Sequence, residues 1–340
     1  MKYVTIIDIA KELGISKSTV SRALSGDTSN VKPETLELIQ KTAQRMNYHR
    51  NELAVNLRKQ NTHTIGIVIP EVVTSFFMNF IEHAQRALRM QGYRTLVAIS
   101  NEDPEQERDN LMMLEQCRVD GIMICVCNHD YNARLYKDII KHGIPMVFFD
   151  RTVEGIDAPQ VMTDDYIMSF FMVEALVRRG YRKIVHLAGP DHVRNCFARQ
   201  RGYRDALEKF KIEYDKRYVV YGGLNDEEGA AAMRRIIDSG INFDAVFAFT
   251  EMSALGAKTA LQKKGYRIPD DVALCCMSGT VLSTLVHPTL TAVEQPVKTM
   301  AETACRLLMT RINDTSTPKE DVVLRGEMVF RESFPNLTKE

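Results

Sequence analysis

From Thr64 onward, short apolar runs alternate with longer amphipathic stretches, and this alternation leaves the chain few possible folds. The runs are TIGIVIP (64–70), TLVAIS (95–100), GIMICV (121–126), PMVFFD (145–150), KIVHLAG (183–189), AVFAFT (245–250) and DVALCCMS (271–278). Their apolar residues are consecutive, so they read as strands covered on both faces, with helices of about 15 residues as the cover. Seven such units predict an α/β fold of two doubly wound parallel sheets. Ligands bind such sheets beyond the carboxyl ends of the strands. Those ends and the turns after them carry the polar residues: Thr74 to Phe77, Asp150–Arg151, Asp164–Asp165, His192 to Arg199, Thr250–Glu251 and Ser278.

The first 63 residues have a different pattern. They carry ten Lys/Arg against six Asp/Glu, a net +4, although the whole chain is neutral with 44 of each. Thr5 caps a helix whose stripe is Ile6, Ile9, Ala10 and Leu13, and Gly14 supplies its left-handed terminus. Ser16 caps a second helix, with Val20, Ala23 and Leu24 inward and Lys17, Ser18, Ser21 and Arg22 on the opposite face. Pro33 opens a third, with the stripe Leu36, Ile39, Ala43 and Met46. The tight joint between the first two helices suggests a helix-turn-helix. The outer face of the second has one Lys, one Arg, small hydroxyls and no acid, which suits contact with DNA. The same residues also suit the solvated face of an ordinary three-helix domain. Residues 52–64, ELAVNLRKQNTHT, are too short for an independent helix and read as a linker.

TIIDIAKELGISKSTVSRALSG resembles the DNA-binding headpiece of the LacI/GalR family, and VKPETLELIQKTAQRMNYHRNELAVNLR resembles its third helix and hinge. The resemblance implies that Lys17 and Ser18 read base edges in the major groove and that Arg22 reads a guanine. Ser16, Thr19, Ser21 and Asn30 would anchor phosphates, and Thr5, Asn51, Ala54 and Arg58 would join the DNA contacts. The hinge becomes a helix in this family when two copies meet on DNA, and Leu57 aligns with the wedge that opens the minor groove. The loop 25–32 is one residue longer than usual. Lys32 stands at the usual Ser/Thr cap, Arg50 replaces a usual Pro, and Val55 stands where Arg is common.

The resemblance extends through TIGIVIPEVVTSFF, GYRTLVAISNEDPEQERDNLMMLEQCRVDGIMI, GIPMVFFDR, GYRKIVHLAGP, RQRGYRDAL, AVFAFTEMSALGAKTAL, GYRIPDDVAL and HPTLTAVEQP to the family's effector domain, itself similar to periplasmic binding proteins. It implies residues 1–50 as the headpiece, 51–63 as the hinge and 64–335 as a two-lobed effector and dimerisation domain. The N-lobe would take 64–162 and 292–321, and the C-lobe 163–291 and 322–335, with crossings near 161–165, 289–294 and 321–325. Phe76 and Phe77 would border the ligand, Asp150 and Arg199 would bind its polar groups, and Thr250 and Ser278 would close the far side. Leu224 stands where an aromatic often stacks. Ser278 stands where Asp is common, Thr250–Glu251 replaces Asn-Asp, and Thr74–Ser75 replaces Asn-Pro. Without an acid beside Arg199, the expected ligand is a sugar or acidic sugar derivative, and a purine or a protein partner comes second. The expected partners are a near-palindromic double-stranded operator, a small-molecule effector and a second copy of the chain.

Other functional classes lack their motifs. GxGxxG, GxxxxGK[ST], GxSxG and HExxH are absent, so no cofactor, metal or enzyme activity is expected. His129–Asp130 reads as a surface pair and His186 as an interior residue. The seven cysteines (117, 125, 127, 196, 275, 276 and 305) include no CxxC and read as reduced thiols. No apolar run approaches a membrane span, and Asp8, Lys11 and Glu12 interrupt any leader, so a cytoplasmic location is expected. A solute-binding protein without DNA function would share the large domain but has no use for residues 1–63.

Overall fold

The computed structural model describes residues 4–25, 31–48, 61–221 and 223–335. Contacts divide the chain into two compact units, Met1–Thr62 and His63–Glu340. The first unit contains α1 (Ile6–Leu13), α2 (Lys17–Ser25) and α3 (Pro33–Arg45) around Ile9, Ala10, Val20, Ala23, Ile39 and Ala43. Thr5 and Asp8 form a reciprocal capping box, and Gly14 takes the left-handed position at φ 65°. Ser16 Oγ accepts from Thr19 N at 3.1 Å and so starts α2. Lys32 makes no side-chain cap, and Pro33 at the first turn of α3 omits one donor that would need a partner. Arg45 binds Glu12 at 2.6 Å and ties α3 to α1.

The second unit holds two six-stranded sheets. Its elements in chain order are β1 (Thr64–Ile69), α4 (Ser75–Arg89), β2 (Arg94–Ile99), α5 (Pro104–Gln116), β3 (Gly121–Ile124), α6 (Ala133–Lys141), β4 (Met146–Phe149), β5 (Gln160–Thr163), α7 (Asp165–Arg178), β6 (Ile184–Ala188), α8 (Asn195–Lys209), β7 (Val219–Tyr221), α9 (Asp226–Asp238), β8 (Ala245–Ala248), α10 (Glu251–Lys263), β9 (Ala273–Gly279), α11 (Leu282–Leu285), β10 (Thr291–Glu294), α12 (Val297–Asn313), β11 (Asp321–Leu324) and β12 (Glu327–Val329). The N-lobe sheet runs β11-β5-β4-β3-β1-β2 and the C-lobe sheet β12-β10-β9-β8-β6-β7. All pairings are parallel except β10 with β12. Each sheet has an apolar cluster on either face, which is why its central strands are apolar at consecutive positions.

The chain passes between lobes at Asp164, at 295–296 and at 325–326. Thr163, 292–294 and 322–324 therefore lie in the opposite lobe from the one expected for them. The cause is that β5, β10 and β11 each finish pairing within a sheet before the chain leaves it. At the third crossing, a Cβ on Gly326 would stand 2.8 Å from Val293 and 3.0 Å from Glu294 O, so the crossing segments lie against one another.

All seven cysteines are unpaired, six of them buried and Cys117 exposed. His186 is fully buried between the rings of Tyr203 and Phe247, with Nδ1 donating to Phe247 O at 3.0 Å. Burial lowers its pKa to about 4, so the folded chain holds it neutral. A base depressed on folding contributes its full stability above the free value of 6.5 and loses it as pH falls toward 4. We expect the second unit to lose on the order of 3 kcal/mol of unfolding free energy across that window. His186→Phe should abolish this component of the pH dependence in urea titrations. The backbones of α9 and α10 touch through Gly229 and Gly256, where a Cβ on Gly256 would stand 1.9 Å from Asp226 O. Gly256→Ala should cost about 1–3 kcal/mol, read as a lower urea midpoint.

Candidate functional site

A cavity of about 430 Å3 lies between the lobes at the carboxyl ends of the strands, within the range of small-molecule sites. Phe76, Phe77, Asp150, Arg199, Leu224, Thr250 and Ser278 all line it, although they come from six separate stretches of both lobes or their borders. Phe76 and Phe77 open α4 just after β1, edge to face with centroids 5.0 Å apart, and are largely buried in the N-lobe core. Asp150 directly follows β4 and Ser278 lies near the end of β9, at φ 59° and 60°. Asn101 and Glu102, after β2, line the cavity with φ of 51° and 56°. Four of the eight non-glycine residues with positive φ among the described residues are thus at this cavity. Such strain persists only where the surroundings impose it.

Arg199 sits at the floor of the cleft, only 2% exposed. Its Nε donates to Asp165 Oδ1 at 2.6 Å, Nη1 to Phe249 O at 2.5 Å and Nη2 to Ser278 Oγ at 3.4 Å. The guanidinium also lies 4.4 Å over the Phe249 ring. Asp165 therefore supplies the acid that residue 278 lacks. Burial, opposed by Arg199, lifts its carboxyl pKa to about 6. Arg151, the other lining cation, donates to both oxygens of Glu102 at 2.7 Å and to Val126 O at 3.3 Å. Both cations are thus neutralised by the protein itself. The expectation of a site short of negative charge is corrected accordingly, because α7 places a carboxylate that linear sequence does not put beside Arg199.

Asp150 Oδ1 accepts from Gln295 Nε2 at 2.8 Å, and the same nitrogen donates to Thr163 Oγ1 at 3.0 Å. Gln295 thereby joins a lining carboxylate to two of the three lobe crossings. Thr250 caps α10 through Ser253, and its hydroxyl also reaches Leu224 O at 3.3 Å. Glu251 is 2% exposed and is occupied by Thr280 and Ser283. Asp226 and Glu227 open α9 at the cavity wall, exposed, where the helix dipole favours acids.

In the first unit, Lys17, Ser18 and Arg22 are exposed along one side of α2, and Ser21 is half-buried. Arg22 Nε points back to Ser18 O at 3.5 Å. Ser16 Oγ lies 2.8 Å from both Ser18 Oγ and Thr19 Oγ1, a run of hydroxyls at the helix start. Thr5 is engaged with Asp8, its hydroxyl 2.7 Å from Oδ2. Asn30, Asn51, Ala54, Leu57 and Arg58 lie outside the described residues.

Residues 5–51 match the family described as bacterial regulatory proteins, lacI family. Residues 62–319 match periplasmic binding proteins and the sugar binding domain of the LacI family. The chain belongs to the LacI family. The HTH-type transcriptional repressor PurR of Vibrio atlanticus (strain LGP32) is 30% identical over 334 residues, covering 98% of this chain and 99% of that one. A solved complex of the transcriptional regulator CelR with cellobiose is 27% identical, with a TM-score of 0.74 over 97% of this chain and 99% of that one. The lac repressor dimer bound to operator and the anti-inducer ONPF is 21% identical, with a TM-score of 0.85 over 98% of this chain and 100% of that one. This last likeness shows the shared fold. This LacI-family chain is a DNA-binding transcription regulator with a ligand-binding domain. Among its described residues, no helix is long and apolar enough to cross a membrane.

Sequence reasoning did not place Gln295 or the Asp165 partnership in this regulator's cleft. Gln295 follows β10, a strand of four residues, and the Arg199–Asp165 pair spans 34 positions. Removing one side of a buried ion pair strands the other. Arg199→Ala should therefore lower unfolding free energy by about 3–5 kcal/mol in denaturant titrations. Arg199→Lys should recover only part, since an ammonium cannot span the same three acceptors in a plane.

Proposed function

We propose that this chain is a repressor that binds a near-palindromic operator as a homodimer and is controlled by a neutral, hydroxyl-rich effector, a monosaccharide or disaccharide, held between its lobes. Residues 1–50 would address a half-site, 51–63 would form the hinge, and 64–335 would sense the effector and dimerise. The observation that carries the effector class is the pairing of Arg199 with Asp165 and of Arg151 with Glu102. With both cations compensated, Asp150, Asp226 and Glu227 leave the cleft electronegative, which disfavours a carboxylate or phosphate and suits hydroxyl donors. The cellobiose complex of CelR supports a saccharide. A second copy fits the apolar residues that edge strand β2 leaves exposed, Leu96 and Val97, with Met78 of α4 and Met112 and Met113 of α5 also exposed in the N-lobe. Lys17, Ser18 and Arg22 would read bases, with Ser16, Thr19 and Ser21 on phosphates.

A thermal-shift series tests the effector class, because a ligand stabilises the state it binds by mass action. Glucose or cellobiose should raise the melting temperature, and glucuronate and glucose 6-phosphate should not. A shift confined to the charged sugars or to nucleobases would overturn the reading. Selection from random duplex DNA should return paired half-sites. Arg22→Ala should relax one base per half-site at a cost of about 1–3 kcal/mol, read by competition binding.

A further inference from the structure

The geometry points to His129 as a proton-gated clasp between the two lobes. The loop between β3 and α6 in the N-lobe meets the segment between β6 and α8 in the C-lobe. There the His129 backbone N–H donates to His192 O at 3.1 Å. Its ring Nδ1 lies 2.9 Å from the same carbonyl, and its Nε2 lies 3.0 Å from Asp130 Oδ2. The ring stands edge-on to Phe197, centroids 5.9 Å apart. Beside it Arg194 of the C-lobe pairs with Glu154 of the N-lobe, and Asn195 Nδ2 donates to Asp150 O at 3.3 Å.

Both ring nitrogens of His129 face groups that can only accept. A carbonyl has no proton to give, so Nδ1 must carry one, and an ionised carboxylate has none either, so Nε2 is satisfied only when it carries one too. The imidazolium alone donates at both positions. The neutral ring keeps only an uncharged bond to His192 O and turns a lone pair toward Asp130, whereas the imidazolium makes the bond across the lobes charge-assisted and so stronger. The clasp is therefore tightest with the ring protonated and loosens as pH rises. Of the charged and titratable groups around it, Asp130 is on its own loop, Glu154 is on the β4–β5 loop, and Asp191, His192 and Arg194 are on the C-lobe segment. The bond from Arg194 holds the Glu154 carboxyl below its ordinary range, so that pair stays charged near neutral pH. Val193 and Asn195, on the same C-lobe segment, line the cavity, so the clasp sets the position of one cavity wall.

The bond from the His129 amide to the opposite lobe makes hydrogen exchange a direct reading of the clasp, without operator or effector. In the full chain, protection of the 127–132 segment, corrected for intrinsic exchange, should fall about threefold between about pH 5.5 and 8. His129→Gln can donate but does not titrate, so its profile should be flat. His192→Gln, which keeps the backbone carbonyl, should retain the slope. Asp130→Asn, at an exposed position that leaves the fold alone, should reduce it. A flat profile in the natural protein, a slope that survives His129→Gln, one lost in His192→Gln, or an undiminished slope in Asp130→Asn would each overturn the clasp. None of these results bears on whether a saccharide binds.

Discussion

A buried guanidinium must be neutralised where it stands, and the C-lobe is arranged around that requirement at Arg199. Its three donating nitrogens reach Asp165 at the start of α7, the carbonyl of Phe249 after β8, and Ser278 near the end of β9. One side chain on α8 therefore fixes the relative positions of three strand-end segments that form the cavity wall. A lysine could satisfy one of these acceptors well but not all of them in one plane. Asp165 in turn follows the first crossing by a single residue, so the ion pair anchors the C-lobe to the point where the chain enters it.

The same arrangement is what supports the proposed class of effector. A site with a free arginine would draw anions, whereas here each lining arginine already has a carboxylate within 2.7 Å. The polar capacity left for a ligand is mainly acceptor capacity, on Asp150, Asp226 and Glu227, beside the apolar faces of Phe76, Phe77 and Phe249. Acceptors beside aromatic carbon match hydroxyls projecting from an apolar ring. Apolar walls with a few fixed polar groups are also the usual composition of small-molecule sites.

How much of this was legible in the sequence depended on the range of the interaction. The seven expected strands all form, six of them with their apolar residues covered on both faces, while β2 lies at an edge and leaves Leu96 and Val97 exposed, against the expectation of cover on both faces. β5, β7, β10, β11 and β12 went unseen: they have three or four residues each, and four of them include a polar or charged residue such as Gln160, Glu294, Asp321 or Glu327. Their pairing partners hold them in the sheets, and tertiary partners are not visible along a chain. Six of the seven cavity positions stand at strand ends or in the turns after them, where a doubly wound sheet gathers its ligand site; Leu224, and the choice of these residues as ligand contacts, came from the resemblance to the LacI/GalR effector domain. The electrostatics of the cleft were not legible, because they turn on Asp165 and Glu102, which reach their arginines only once the lobes have folded.

The lobes are joined by three crossings and by noncovalent contacts, and the two kinds of link respond differently. At the crossings, Gln295 holds Asp150 and Thr163 together and Gly326 packs on Val293 and Glu294, so they can bend but not part. The contacts from His129, Glu154 and Asp150 to the segment 192–195 can break outright. A ligand between the lobes changes their angle only if it binds the open and closed arrangements with different affinity. Asp150 is where such a difference arises, since its carboxylate faces the cavity while its side chain is bonded at a crossing and its carbonyl to the opposite lobe. Under the proposed reading, an effector hydroxyl bonded to this carboxylate would share it with Gln295, which would couple occupancy of the cleft to the crossing segments through one residue held at a positive φ.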